Sequence, residues 1–259
     1  MKNLQRWISL LCLLAVLFAA GVSLAEETSI HTQFSYGQSE MGRDLICHRI
    51  GTQDANRSML MVFAVHGFED SYPHDGKVLT MIAENLIDHY TANVQELQDF
   101  CLYIIPCANP DGLIDGVTNN GFGRCNVNGY DINRDFPFDW EMDDTDRNRT
   151  GETPLVTAEA RAICALVEDI QPTYGVDVHG WKKGAYGNGR MAENFAAPFR
   201  FKVKRLSTEG MLGAWMHSVT NESILMELPP EPNENEYVTD NSTKLIQAIN
   251  RWIAYCQPR

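Results

Sequence analysis

The sequence predicts an α/β fold of three layers, in which helices cover both faces of a mixed, mostly parallel central sheet. Four runs are almost continuously apolar and rich in β-formers, as expected for strands that are buried on both faces. Segments with helical spacing lie between these runs, and this alternation is typical of a covered parallel sheet. The predicted strands span residues 58–66, 99–106, 173–179 and 223–228.

Three segments carry apolar residues at the spacing of a helix face. They span residues 76–90, 157–170 and 239–256. In the second segment Thr157 is the expected N-cap and Glu159 stands in the first turn, both of which favour a helix start. We find no internal repeat and no low-complexity linker, so residues 26–259 are predicted to form a single domain.

Residues 1–25 have the pattern of a cleavable signal peptide. Lys2 and Arg6 precede a short apolar stretch, and Ser23 and Ala25 are small residues at the −3 and −1 positions before Glu26. This arrangement is typical of export signals, although an uncleaved anchor is the alternative. We expect a secreted or periplasmic/cell-envelope protein with no stable membrane insertion after cleavage, and a monomer.

The net charge and the cysteine pattern limit which partners and which metal sites are expected. The net charge is −13, and it becomes −15 when Lys2 and Arg6 leave with the signal peptide. Such an acidic surface argues against nucleic acid and anionic membranes as partners. The absence of any CxxC pair makes a cysteine metal site unexpected. Six cysteines in an exported chain allow 15 disulfide pairings, and the sequence does not choose among them.

Polar side chains stand where the predicted strands end. His66 and Glu69 follow the first strand, His179 ends the third, and Glu227 lies late in the fourth. Ligands of α/β folds bind beyond the carboxyl ends of the strands. Two histidines and one glutamate form a known zinc set in hydrolases. Each histidine taken alone could instead be a hydrogen-bonded structural residue.

Glu227 lies in an apolar strand, where a carboxylate is costly to bury unless it is paired or protonated. Near a metal it could act as a general base, and the alternative is a carboxylate that turns to solvent. In residues 121–137 (GFGRCNVNGYDINRDFP), Asn133 and Arg134 could bind a substrate carboxylate. Arg124 could stabilise an oxyanion. A salt bridge within the chain is the alternative for Arg134.

Six segments in this order resemble the zinc carboxypeptidase family (peptidase family M14). They are YGQSEMGRDL (36–45), HGFE (66–69), NPDG (109–112), RCNVNGYDINRDFP (124–137), DVHG (177–180) and LMELP (225–229). The resemblance implies a zinc-carboxypeptidase-like fold, a peptide substrate and one Zn²⁺ per chain, with His66, Glu69 and His179 as ligands.

The resemblance also implies a role for each of the other polar residues. It implies that Arg124 stabilises the oxyanion, that Asn133 and Arg134 hold the substrate carboxylate, and that Glu227 is the base. It further implies that Asp131 orients the first zinc-bound histidine. Together these residues predict a zinc metallocarboxypeptidase that hydrolyses peptide bonds.

Two positions depart from the larger digestive members of the family. Phe68 stands where those members have an arginine, and residues 203–217 contain no tyrosine that could cap the bound carboxylate. Trp215 or a backbone group is expected to cover the substrate instead.

The stretch GMLGAWMHSVTNESILMELPP (210–230) and the later INRW resemble the bacterial murein peptide amidases. This likeness implies cleavage between γ-D-glutamate and meso-diaminopimelate in cell-wall peptides. A general metallocarboxypeptidase that releases C-terminal L-amino acids is the first alternative. An aspartoacylase-like deacylase and an inactive module that binds peptide ends are the others.

Overall fold

The computed structural model describes residues 30–206, 209–229 and 234–258, so the predicted signal peptide lies outside the described residues. Its strands are β1 (His31–Gln38), β2 (Asp44–Ile50), β3 (Arg57–Phe63), β4 (Phe100–Ile105), β5 (Thr118–Cys125), β6 (Tyr174–Gly180), β7 (Gly184–Tyr186), β8 (Val203–Lys204) and β9 (Glu222–Leu228). All except β5 form one sheet in the order β1-β2-β4-β3-β6-β9-β7-β8.

The four strands at the centre of this sheet are the four that the sequence predicts. β4, β3, β6 and β9 run parallel to one another. The flanking pairs β1/β2, β2/β4 and β7/β9 are antiparallel, whereas β7 and β8 are parallel. The prediction of a mixed sheet with a parallel centre is therefore confirmed.

Helices cover both faces of the sheet. They are α1 (Gly76–Ala92), α2 (Pro110–Asp115), α3 (Ala158–Ile170), α4 (Arg190–Phe199), α5 (Leu212–Val219) and α6 (Glu234–Cys256), with short 3₁₀ turns at Val94–Leu97 and Ile132–Arg134. Alternate residues of a strand point to opposite faces. In β3, Met61 packs in the core under α1, α4 and α6, whereas Val62 packs in the core under α3 and α5.

Among the helix predictions, the N-cap of α3 is confirmed in atomic detail, because Thr157 Oγ1 accepts a hydrogen bond from the Ala160 N–H at 3.2 Å. The first predicted strand, in contrast, is too long. β3 ends at Phe63, and the chain turns at Ala64, whose φ is +48°. The N–H groups of Ala108 and Asn109 bond to the carbonyls of Phe63 and Ala64, which fixes the turn.

This early turn places His66 and Glu69 in a loop against α2. Gly67 is required there, because a Cβ on it would lie 2.2 Å from the Leu113 nitrogen.

Among the described residues, no helix has both the length and the apolar character needed to cross a bilayer. The six cysteines among the described residues are all free thiols, so none of the possible disulfides is formed there.

Candidate active site

Three buried side chains meet beyond the carboxyl ends of β3 and β6. Glu69 Oε2 lies 3.1 Å from His66 Nδ1, and Glu69 Oε1 lies 3.0 Å from His179 Nδ1. All three side chains are about 2% exposed, and one potential ligand atom from each lies within 4.8 Å of the others. The structure thus brings together the three residues that the sequence predicts as metal ligands.

Carboxylates hold the far nitrogen of each imidazole ring. His66 Nε2 lies 3.0 Å from Asp131 Oδ1, and His179 Nε2 lies 2.9 Å from Asp177 Oδ1. A carboxylate at Nε2 favours the tautomer with its proton on that atom. The lone pair of His66 Nδ1 is then directed at the space beside Glu69, as a metal site requires.

The electrostatics of this site favour a positive charge. Burial alone would raise the pKa of Glu69, but the adjacent imidazoles of His66 and His179 hold it well below its usual range. Burial would lower the pKa of His179, but Asp177 and Glu69 raise it well above the usual value. Two nitrogens and one carboxylate also form a zinc set that leaves one position open. The residues therefore fit a zinc ion.

Asp131 connects His66 to two other predicted site residues. Its Oδ1 accepts the Asn133 N–H at 2.8 Å, and its Oδ2 accepts Arg124 Nη2 at 3.3 Å. Burial would raise the pKa of Asp131, but the charges of Arg124 and His66 hold it below its usual range. An ionised carboxylate in this position orients the ring of His66.

Arg124 enters the site from the end of β5. Its Nη1 lies 3.2 Å from His66 Nδ1, and its Nε donates to the Arg147 carbonyl at 3.2 Å. The Asn109 side chain bonds to the carbonyls of Arg124 and Cys125 at 3.2 and 3.1 Å, which anchors this part of the chain. The guanidinium is thus held beside the proposed ligands, where a cation can act on an oxyanion.

Glu227 faces the same site because of the strand register. Residue 227 of β9 pairs directly with His179 of β6, so the two side chains emerge on the same face. Glu227 is 8% exposed, and its Oε2 accepts the Lys182 N–H at 3.2 Å. Burial raises the pKa of Glu227 against the opposing charge of His179. A carboxylate whose pKa is raised in this way can act as both proton acceptor and proton donor.

Asn133 and Arg134 occupy different environments. The amide of Asn133 is buried, with Oδ1 accepting the Leu212 N–H at 2.8 Å and Nδ2 lying 3.1 Å from His179 Nε2. Arg134 is half-buried, and its Nη1 donates to the Asn133 carbonyl at 2.8 Å. Among the described residues, Arg134 forms no ion pair with Asp131 or Asp135, so the salt-bridge alternative finds no support.

One cavity collects these groups. Its lining includes all seven predicted residues other than Asp131, namely His66, Glu69, Arg124, Asn133, Arg134, His179 and Glu227, together with Asp70, Gly180, Lys182, Met211 and Leu225. Trp215 is not among them, because its ring stacks on Phe136 at 5.4 Å in the core. Of the described residues in 203–217, Met211 lines the cavity and Trp215 does not, which leaves a backbone group as the expected cover of the substrate.

Three buried residues of the site were missed by the sequence-based prediction. Asp177 precedes His179 by two residues on the same strand, so alternation along β6 was a usable signal. Asn109 lies within the NPDG motif but carried no predicted role. Asp75, which bonds to the loop of Glu69, had no signal in the spacing of the sequence.

Comparison with known proteins places this chain in a family. The family model described as zinc carboxypeptidase, peptidase family M14, matches residues 22–251. The chain belongs to the zinc carboxypeptidase family. The prediction of a peptide hydrolase of this family is thereby confirmed, and its zinc dependence agrees with the donor set found here.

The relatives differ in length and in name. Bacteriocin BCN5 of Clostridium perfringens is 34% identical over 84% of this chain, and the match covers 25% of that protein. Murein peptide amidase A of Escherichia coli K12 is 28% identical over 49% of this chain and 58% of its own length. The chain thus spans a quarter of the first relative and somewhat over half of the second.

A solved structure shows the same fold. The murein-tripeptide amidase MpaA from Escherichia coli O157 superimposes with a TM-score of 0.63. The superposition covers 88% of this chain and 93% of that one, at 22% sequence identity. At this identity, the likeness shows that the two proteins share a fold.

Proposed function

We propose that the protein is an exported, monomeric zinc peptidase that hydrolyses a terminal or near-terminal amide bond. The expected bond joins γ-D-glutamate to meso-diaminopimelate in murein peptides. The observation that carries the proposal is the meeting of His66, Glu69 and His179 with Glu227 and Arg124 in one cavity. In the proposed mechanism this set supplies a metal site, a proton acceptor and an oxyanion partner.

One Zn²⁺ per chain would be held by His66, Glu69 and His179. Zinc in such a site supplies a Lewis acid that polarises the scissile carbonyl and makes water a nucleophile near neutral pH. Asp131 and Asp177 orient the two rings from their Nε2 side. The charge they bring also offsets the cost of a buried cation.

Glu227 is the proposed base. Its carboxylate accepts a proton from the attacking water and passes it to the nitrogen of the leaving amine. The Lys182 N–H holds one carboxylate oxygen of Glu227, and the side chain lines the cavity. A pKa raised by burial suits both the uptake and the return of the proton.

Arg124 and Arg134 are proposed to act on the substrate at two points. Arg124 donates N–H groups to the oxyanion that forms as the carbonyl is attacked. Arg134 holds the free carboxylate of the residue to be released, which makes the cut terminal or near-terminal. Asn133 is proposed to assist, and its carbonyl already fixes Arg134 Nη1.

The murein substrate is supported by the names of two similar proteins. Murein peptide amidase A matches in sequence, and the murein-tripeptide amidase MpaA shares the fold over nearly its whole length. Residues 1–25, which have the pattern of a signal peptide, are in keeping with an enzyme that meets cell-wall peptides. Met211 gives the cavity an apolar surface, and Phe68 lines an adjacent pocket together with Asp70.

The test offers two substrates to the purified protein. One is L-Ala-γ-D-Glu-meso-diaminopimelate and the other is an ordinary L-peptide, each assayed with zinc, with a chelator, and with Glu227→Gln. Chelator-sensitive release of diaminopimelate that the variant abolishes is the expected result. Release from the L-peptide alone would replace the murein assignment with a general carboxypeptidase.

Failure to cleave either peptide would have a different meaning. If the protein binds one zinc per chain but both peptides stay intact, the deacylase and the inactive module are the next proposals to test. A small acylated amino acid would then test the deacylase alternative. Equilibrium binding of a peptide carboxylate without turnover would favour the inactive module.

A further inference from the structure

Asp75 is a fully buried carboxylate, immediately before α1, that takes no part in the chemical steps proposed above. Its Oδ1 accepts the main-chain N–H of Glu69 at 2.5 Å. Its Oδ2 accepts the N–H groups of Asp70 and Ser71 at 3.1 and 2.8 Å. Charge-assisted bonds from three successive N–H groups hold the backbone of the loop that carries Glu69 in one conformation.

The same carboxylate also reaches the segment that follows His179. Asp75 Oδ2 accepts the indole N–H of Trp181 at 2.6 Å. The ring of Trp181 packs edge-on against Tyr237, with 5.6 Å between centroids. Asp75 therefore connects the loop of one proposed ligand to the chain just beyond another.

This segment in turn holds the proposed base. Lys182, the residue after Trp181, donates its N–H to Glu227 Oε2 at 3.2 Å. Hydrogen bonds thus connect the backbone of Glu69 to Asp75 and Asp75 to Trp181. Trp181 is followed in the chain by Lys182, whose N–H bonds to the carboxylate of Glu227. Of these residues, Glu69, Lys182 and Glu227 line the cavity, whereas Asp75 and Trp181 do not.

We propose that Asp75 is a positioning residue that sets the placement of Glu69 relative to Glu227. The inference rests on the proposed function, because it assigns those two residues to metal binding and to proton transfer. Asp75 would do this through two sets of hydrogen bonds. The bonds to residues 69–71 keep Glu69 in place for the metal, and the bond to Trp181 keeps the Lys182 N–H in place for Glu227.

Two variants separate these contacts. Asp75→Asn keeps the shape but turns an NH₂ group toward backbone N–H donors, so both contacts are weakened. Trp181→Phe removes the indole donor, keeps an aromatic ring beside Tyr237 and leaves the bonds to residues 69–71 intact. The two readouts are the zinc dissociation constant, from competition with a chromophoric chelator, and kcat and KM of the zinc-saturated protein.

Asp111→Asn is the matched control. Asp111 is equally buried and accepts bonds from Ser39 Oγ and the Met41 N–H, both at 2.9 Å, and from Arg43 Nη1 at 2.5 Å. None of its partners lines the proposed active site. A general loss of stability after removal of a buried carboxylate is therefore seen in this variant as well.

We expect Asp75→Asn to weaken zinc binding about tenfold to a hundredfold and to lower kcat about tenfold at saturating zinc. Trp181→Phe should lower kcat about tenfold while its zinc dissociation constant stays within about threefold of wild type. KM should change little in either variant, because Asp75 does not contact Arg134. Asp111→Asn should change neither zinc affinity nor kcat.

Two results would overturn the proposal. One is a zinc affinity of Asp75→Asn no weaker than that of Asp111→Asn, and the other is a wild-type kcat in Trp181→Phe. Should Asp75→Asn fail to fold, Trp181→Phe decides alone by its kcat. A wild-type protein that binds zinc but cleaves neither peptide would refute the proposed function, while the zinc affinities would still decide whether Asp75 holds the loop of Glu69.

Discussion

The two sides of the cavity differ in how firmly the chain holds them. On the metal side, His66, Glu69 and His179 are almost fully buried, and each contacts at least two polar groups of the protein. On the substrate side, Arg134 is half-buried and its guanidinium donates to one carbonyl of its own neighbour. The fold thus preorganises the proposed metal ligands more than it does Arg134.

This difference predicts two kinds of mutational effect. Changes on the metal side should alter zinc affinity or the chemical step, because every group there is fixed by others. Changes on the substrate side should mainly alter KM and selectivity, because the missing partner is the substrate itself. The following variants test this division, from the largest expected effect to the smallest.

Glu227→Gln should have the largest effect. The variant keeps the size of the side chain but cannot accept a proton, so kcat is expected to fall by about 10² to 10⁴-fold. Zinc stoichiometry should remain that of wild type, because Glu227 is not among the proposed ligands. Loss of zinc together with activity would show that Glu227 belongs to the metal site instead.

The pH profile gives a second view of the same residue. A base must be deprotonated to act, so kcat/KM should rise with pH as Glu227 loses its proton. Because burial raises the pKa of Glu227, this acidic limb should lie above the range of an exposed glutamate. The limb should vanish from the residual activity of Glu227→Gln, and its persistence there would assign it to another group.

Arg124→Ala should follow, with a loss in kcat of about 10² to 10³-fold, the usual effect of removing an oxyanion donor. Zinc should stay bound, since Arg124 contacts the ligands without being one. Arg57→Ala is a matched control, because Arg57 pairs with Asp99 at 2.7 Å at the far end of β3. Equal losses in the two variants would indicate a general effect of removing an arginine–aspartate pair.

Asp131→Asn should weaken zinc binding by about tenfold to a hundredfold. The amide removes a charge that holds His66, and it also perturbs Arg124 and the Asn133 N–H. Titration with zinc should restore most of kcat, because the ligands themselves remain. A zinc affinity within threefold of wild type would contradict the role of Asp131 in orienting His66.

Strands could be predicted from the sequence where both faces of the strand are buried. β3, β4, β6 and β9 are covered on both faces, so their residues are almost all apolar and the strands could be predicted from hydrophobicity. β1 is half-exposed, and β7 and β8 contain three and two residues. Such short or edge strands leave no periodic pattern that could be distinguished from a loop.

The residues of the site likewise divide into those that could be predicted from the sequence and those that could not. His66, His179 and Glu227 stand at or beside the ends of predicted strands, where their side chains interrupt apolar runs, and a resemblance to known motifs assigned their roles. Asp75 acts through backbone N–H groups and one indole. No spacing rule connects a carboxylate to main-chain donors four to six residues earlier, or to Trp181 in a distant segment. Only the fold reveals that contact.

Arg134→Ala should have the smallest effect of this series, about tenfold in kcat/KM and mostly in KM. Water still competes with the carboxylate for the N–H groups of a half-buried guanidinium. The bond should therefore contribute a binding free energy at the low end of the range for charged pairs. Arg190→Ala, which removes an exposed arginine paired with Glu193, is the control and should leave KM unchanged.

A substrate whose terminal carboxylate is converted to an amide tests whether the two groups meet. If Arg134 binds that carboxylate, amidation should cost wild type about as much as the Arg134→Ala substitution does. The same amidation should then cost the variant little more, because the interaction is already gone. Equal penalties of amidation in both proteins would place the carboxylate against another group. The selectivity for chain ends would then arise from the preorganised metal side rather than from Arg134.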